Sequence, residues 1–377
     1  MTDIAPLRTE IVQNFSQLEA LSAQWEWLWK VSPVREAFTM FPWTRASWRA
    51  YGAHRTLCTP IVYRDKAIVG ILPLAAERRC LRFIGAPRSD YNDLLCAESD
   101  AVEVLAAAFT ALLKLGISWD LCRLENLPQH ANIVKYYNDV KVPPRCHLQL
   151  WFRDVTPTLE MSAANKEDIT KAILSKKSLQ RHTRTLERAG ELRFRHIEDR
   201  QDIIHHLPEF FRQHIARMSR AGKKSLFCHQ NARHFYEALI EEFDPRQELR
   251  FAVLELDNRP IAYHFGFEVN GKFTWYKPTF DVDLWTYSPG EVLLKRLFEY
   301  IAVCDVHEFD FTVGNEPFKS RFANQIHHNF TLCFFPPGLR GRLRRYAIET
   351  TERARKHPKM FNTIKKFRHF SRDYQSS

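Results

Sequence analysis

Ser288, Pro289 and Gly290 open the segment of this chain with the clearest chemical content. Serine is a favoured helix N-cap, and proline suits the first helical position because its missing N–H has no intrahelical partner there. Glycine lacks a Cβ, so a ligand can approach its backbone closely. A helix starting here points the amides of Gly290, Glu291 and Val292 outward. Such an end attracts anions, phosphates above all, and Lys295 one turn on would add a positive charge. Residues 307–313 (HEFDFTV) follow as a strand. Alternation puts Phe309, Phe311 and Val313 on one face and Glu308, Asp310 and Thr312 on the other. Polar side chains at the end of a covered strand must face a cavity or find partners. An anion-binding helix start beside a polar strand end is a common way to hold a phosphate-bearing cofactor.

The composition limits the choices. A chain of 377 residues exceeds one compact core, so two domains are expected. Hydrophobic residues at 45% and charged residues at 26% describe a globular protein. No apolar run approaches a membrane span, and the N-terminus does not read as a signal sequence, so a cytoplasmic location is expected. The eight cysteines are scattered without a C-x-x-C pair, which argues for reduced thiols and against zinc; no metal is expected. The net charge of +11 is uneven, with basic residues crowding 171–196 and 336–377.

Two stretches of chain carry the same order of elements: helix, helix, three antiparallel strands, helix, strand, helix, strand. In the second, residues 248–256, 260–269 and 272–280 read as strands. They are joined by Asp257-Asn258-Arg259 and by Asn270-Gly271, residues that tolerate the positive φ of tight hairpin turns. A helix over 289–304, the strand 307–313, a short helix near 316–323 and a strand over 328–335 complete it. Shared order without sequence repetition suggests an old duplication or a convergent topology. The boundaries predicted are an N-terminal domain over 1–155, a linker and basic helix over 156–190, a second domain over 191–335, and a basic helical tail over 336–377.

This order is that of the GNAT acyltransferase fold: an α/β (α+β) protein with two mixed-sheet domains in tandem and basic C-terminal helices. The residues of the second half resemble the CelD-like acetyltransferase family, associated with cellulose and exopolysaccharide synthesis. The match runs through Ser288-Pro289-Gly290, Leu293-Leu294, Phe309-Asp310-Phe311, Gly314 and Phe318-Lys319. In the first half it runs through Gly85 and the stretch Ser89-Asp90-Tyr91-Asn92-Asp93. The tandem arrangement is similar to the FemABX peptidyltransferases. There are two departures from the pattern. Gly290 stands alone and is followed by Glu291, and Phe318 replaces the tyrosine that often protonates the leaving thiolate, which leaves that step to water, Tyr276 or Tyr287, or to no acid at all.

The resemblance implies acyl transfer from acetyl-CoA or another acyl-CoA to an amine or hydroxyl of a sugar, glycan or lipid-linked precursor. Ser288, Gly290, Glu291, Val292 and Lys295 would hold the CoA diphosphate. Asp310 is the first candidate for a general base or amine-binding carboxylate, or else a helix cap or partner of Lys319. Tyr276 and His264 are further catalytic candidates, although each also reads as a sheet residue. Asp90, Tyr91, Asp281 and Lys319 would contact substrate, or else serve turns and ion pairs. The basic tail reads as a docked, solvated helix or as a contact with an anionic membrane. Two other readings stand beside this one: a FemABX-like transferase using aminoacyl-tRNA, and a non-catalytic partner of a polysaccharide machine. No DNA partner is expected.

Overall fold

The computed structural model describes residues 6–86 and 88–355. The helix predicted over 358–372 lies outside the described residues. The first half runs β1 (Leu7–Val12), α1 (Phe15–Glu19), α2 (Ser22–Val31), α3 (Phe41–Tyr51), β2 (Thr56–Leu57), β3 (Thr59–Arg64), β4 (Ala67–Ile71), β5 (Leu74–Glu77), β6 (Cys80–Phe83), α4 (Ala101–Leu112), β7 (Leu121–Pro128), α5 (Asn132–Tyr136) and β8 (His147–Glu160). The second runs α6 (Lys166–Leu174), α7 (Lys177–Ala189), β9 (Leu192–Ile197), α8 (Arg200–Arg220), α9 (Gln230–Glu242), β10 (Leu249–Leu256), β11 (Arg259–Val269), β12 (Lys272–Phe280), α10 (Pro289–Val303), β13 (Glu308–Asp310), β14 (Gln325–Phe335) and α11 (Leu339–Arg355).

Eleven strands form one mixed sheet in the order β2–β5–β6–β7–β14–β8–β13–β12–β11–β10–β9, while β1, β3 and β4 form a small antiparallel sheet of their own. The two hairpins of the second half turn where the sequence places them. Asp257, Asn258 and Asn270 take φ of 51°, 62° and 52°, and Gly271 takes 70°, the left-handed values such turns require. The last strands of the two halves are exchanged. β8 lies between β14 and β13, and β14 lies between β7 and β8.

Several local expectations change. The linker predicted from Thr156 is strand as far as Glu160, because those residues pair with β14 and β13. The single basic helix predicted over 166–189 is two helices. The chain leaves helical geometry at Lys176 (ψ 123°) and re-aims, burying Leu179, Thr183 and Leu186. The strand predicted over 307–313 is only Glu308–Asp310, and the helix near 316–323 shrinks to a 3-10 turn at Lys319–Arg321. In the first half β3 and β4 leave the main sheet to pair with β1, so the repeat of order is not a repeat of sheet.

One apolar cluster crosses both halves. Trp43 of α3 packs edge-on against Phe235, Phe267 and Tyr276 at ring separations of 5.1, 5.7 and 5.6 Å. Phe38 meets Tyr276 at 5.3 Å and Phe267 at 6.1 Å. Arg45 and Arg49 close the rim through Glu242. Trp25, Trp29 and Trp43 are therefore core, whereas Trp27 is 57% exposed. Trp43→Ala is expected to cost about 3–5 kcal/mol and to leave one cooperative transition in calorimetry. Two separated transitions would show that the halves unfold independently.

Candidate active site

β12 pairs in parallel with β13 only over Lys272, Phe273 and Thr274. Beyond Thr274 it runs on to Phe280 against β11 alone, and the two strands part. A bulge falls at the same place: Phe267 pairs with Thr274 and Phe265 with Lys277, three steps on β12 against two on β11. Gly266 lies across from it, where an added Cβ would stand 2.1 Å from the carbonyl oxygen of Thr274, so only glycine fits. The extra residue shifts the alternation and turns Lys277 toward the face that carries Tyr276. Its Nζ sits 3.8 Å from the Tyr276 ring centroid. Simple alternation would send Lys277 toward α10 with Trp275, so sequence reasoning missed it. The available signal was a lysine inside an apolar strand.

On the opposite side of the opening, β13 ends because Thr312 adopts φ +59°. A β-branched residue pays steric strain there. Oδ1 of Asp310 accepts a hydrogen bond from the Thr312 amide at 2.7 Å. Nζ of Lys319 donates to the carbonyls of Thr312 and Val313 at 3.1 and 3.2 Å and pairs with Glu316 at 2.8 Å. Asp310 and Lys319 thus hold the strand end open. Oδ1 of Asp310 also accepts from the Tyr91 hydroxyl at 2.9 Å, a bond from the first half to the second. Burial pushes the Asp310 carboxyl up to about 7, against the nearby charge of Lys272. Lys272 itself is clamped between Glu36 and Glu308 at 2.8 and 2.9 Å. Asp310 is 0% exposed and so cannot meet an acceptor directly. Where a base was expected, the structure places a buried carboxyl that holds the strand end. Lys319 likewise holds the backbone and is not placed to bind phosphate.

The stretch Ser89–Asp93 overhangs this opening. Tyr91 reaches Asp310, and Asp93 accepts the amides of Asn132 and Ile133 at the start of α5. Asp90 is half-buried, its carbonyl held by Asn329. Burial raises the Asp90 carboxyl, while the charges of Lys277 and Lys319 and a bond from the Thr312 side chain draw it back. Tyr276 is buried, its hydroxyl donates to the carbonyl of Arg88 at 2.9 Å, and burial together with the Asp90 charge holds its phenol above the ordinary value. It supports the overhang.

The first turn of α10 differs from expectation. Ser288 takes a left-handed conformation (φ 55°) and makes no side-chain cap. Its carbonyl accepts the amides of Glu291 and Val292 at 3.0 and 3.2 Å, so these two are not free for a ligand. Gly290 packs closely on Phe280, whose ring an added Cβ would meet at 3.1 Å. The carboxylate of Glu291 turns away to His182 at 3.2 Å and Arg321 at 2.6 Å, and Lys295 pairs with Glu299. His264 is buried between Phe273 and Trp275, and burial lowers it to about 3, so it stays neutral and structural. Asp281 binds Arg259 and caps the turn at Asp283. Among the described residues no group of three or more His, Cys, Asp and Glu side chains could hold a metal.

Asp310 and Asp93, both pushed up to about 7 by burial, bind a proton more tightly folded than unfolded. Their contribution to stability is full below the unfolded carboxyl pKa and is lost as pH rises through about 7. Asp310→Asn keeps an acceptor for Tyr91 and Thr312. It is expected to flatten the fall in Tm between about pH 4 and pH 7 and to match or exceed the parent at the upper end. An unchanged slope would assign the titration to Asp93 instead.

Residues 175–320 match the family model described as the acetyltransferase (GNAT) domain. No curated protein matches the chain. The fold is similar to that of FemX, with a TM-score of 0.56 at 9% identity over 86% of this chain and 96% of that one. It is also similar to a conserved protein of unknown function from Bacteroides thetaiotaomicron, with a TM-score of 0.52 at 10% identity over 83% and 97%. Residues 175–320 are thus similar to the GNAT acetyltransferase domain, within a mixed α/β fold similar to that of FemX.

Proposed function

We propose that this chain is an acyltransferase that moves an acyl group, acetyl by default, from acyl-CoA to an amine or hydroxyl of a sugar, glycan or lipid-linked precursor. The observation that carries this reading is the opening between β12 and β13, with Asp90 overhanging it. β12 beyond Thr274 has no strand partner on that side, so its backbone is available to the amide-bearing arm of a CoA thioester. Asp90 replaces Asp310 as the base. It is half-buried, and burial raises its carboxyl above the ordinary value, the direction a general base needs. The acceptor N–H or O–H attacks the thioester carbonyl and gives its proton to Asp90. The new C–N or C–O bond forms, the C–S bond breaks, and the thiolate recovers the proton as free thiol. Asp90→Asn should lower turnover by about 10²–10⁴-fold without changing donor affinity. Unchanged turnover would remove Asp90 from the chemistry.

The first turn of α10 favours a second donor. With the amides of Glu291 and Val292 already used by Ser288, this helix start does not fit the diphosphate in the manner expected, and an aminoacyl-tRNA donor needs no such cradle. A rise in Tm with acetyl-CoA supports the first donor. Retention of charged tRNA on a filter, with no acyl-CoA shift, supports the second.

The tail reading gains a concrete surface. Leu339, Leu343 and Tyr346 are 65%, 60% and 71% exposed along α11, beside exposed Arg340, Arg342 and Arg344. This stripe suits an anionic lipid surface, at about 1 kcal/mol per basic residue near the headgroups. Leu343→Glu with Tyr346→Glu is expected to abolish sedimentation with phosphatidylserine vesicles. Full retention would mean that α11 is not the contact.

A further inference from the structure

Arg88, Arg217 and Lys277 converge on the opening between β12 and β13 from three elements: the overhanging stretch, α8 and the bulge. All three are half-buried. Among the described residues, none has a carboxylate within ion-pair distance. Arg88 reaches only the Tyr51 hydroxyl at 3.3 Å. Arg217 lies 5.9 Å from the Phe280 ring centroid, and its Nε is buried without a hydrogen-bond partner. Lys277 rests on Tyr276. The surrounding charges do not cancel them. Lys319 and Glu316 pair with each other at 2.8 Å. His214 faces Arg217 and Lys277 but bonds Ser225, and burial lowers it to about 3, so it is neutral. Asp90 is the remaining acid near Lys277. Three basic side chains against one carboxylate leave a formal excess of about two positive charges in a partly desolvated cleft, where burial draws Lys277 below its ordinary value; such an arrangement is costly unless an anion completes it.

We propose that Arg88, Arg217 and Lys277 bind a phosphate group carried by the acyl acceptor. The excess charge matches a phosphate dianion, whereas a single carboxylate would leave half of it uncompensated. Two guanidinium groups and an ammonium supply the planar and point donors that phosphate oxygens accept. The acceptor is favoured over the donor because the cations lie with Asp90 on the face of the sheet opposite α10. Naming the acceptor rests on the acyl-transfer reading above; the anion site itself does not.

The test uses the full chain and inorganic pyrophosphate as probe. Titration calorimetry in phosphate-free buffer should show binding to the parent, weakened about tenfold or more in Arg217→Gln and in Lys277→Met. Without ligand, Lys277→Met should hold or raise Tm, because it removes a desolvated and unmatched charge. It should also lose the Tm rise that pyrophosphate gives the parent. A lower Tm with unchanged pyrophosphate affinity would make Lys277 structural and overturn the proposal. So would absence of binding to the parent. Saturating CoA should leave pyrophosphate affinity unchanged; competition would hand the site to the donor and overturn its assignment to the acceptor. If pyrophosphate binds as described but no acyl-CoA is turned over with any phosphorylated acceptor, the acyl-transfer reading fails and the anion site stands.

Discussion

The left-handed turn at Thr312 governs the functional half of this molecule. A β-branched residue at φ +59° persists only where its surroundings hold it. Here the Asp310 carboxylate takes the amide and the Lys319 ammonium takes the carbonyls. The turn ends β13 after three residues and separates it from β12, and that separation forms the opening on which the proposed function rests. Both holding groups are buried, so each is itself held: Asp310 by Tyr91 from the other half, Lys319 by Glu316. The polar residues of this strand end hold its geometry through these contacts.

The same bond from Tyr91 shows why the two halves act as one body. Their last strands are exchanged, so neither half closes its own sheet. The aromatic cluster around Trp43 then buries the faces that the exchange brings together. With one core spanning both halves, the overhanging stretch at Asp90 keeps a fixed position above the opening in β12 and β13. A site at the junction therefore needs no hinge to form.

Much of the arrangement was legible in local chemistry. The two hairpins of the second half follow from Asp257, Asn258, Asn270 and Gly271, whose conformational preferences are short-range. The alternation of Phe309 and Phe311 against Asp310 gave the correct faces of β13. The stretch from Ser89 to Asp93 stood out by its resemblance to the family pattern, and the structure puts it beside the end of β13. What was not legible depended on distant partners. Ser288 looked like an N-cap, yet its neighbours force it left-handed. Asp310 looked reactive, yet its acidity and access are set by Tyr91, Lys272 and Glu36, which lie elsewhere in the chain.

By itself the sequence determined the order of the main helices and strands from β9 to β14, the two hairpin turns of the second half and the clustering of positive charge. These depend on backbone preference and periodicity, which act over a few residues. Only the tertiary structure decided that the final strands exchange, that a bulge opposite Gly266 re-aims Lys277, that the amides of Glu291 and Val292 are already used, and that Asp90 rather than Asp310 faces the opening. Each of these is a pairing between residues far apart in sequence. A one-residue slip in such a pairing reverses which face a side chain meets, and burial then sets its charge.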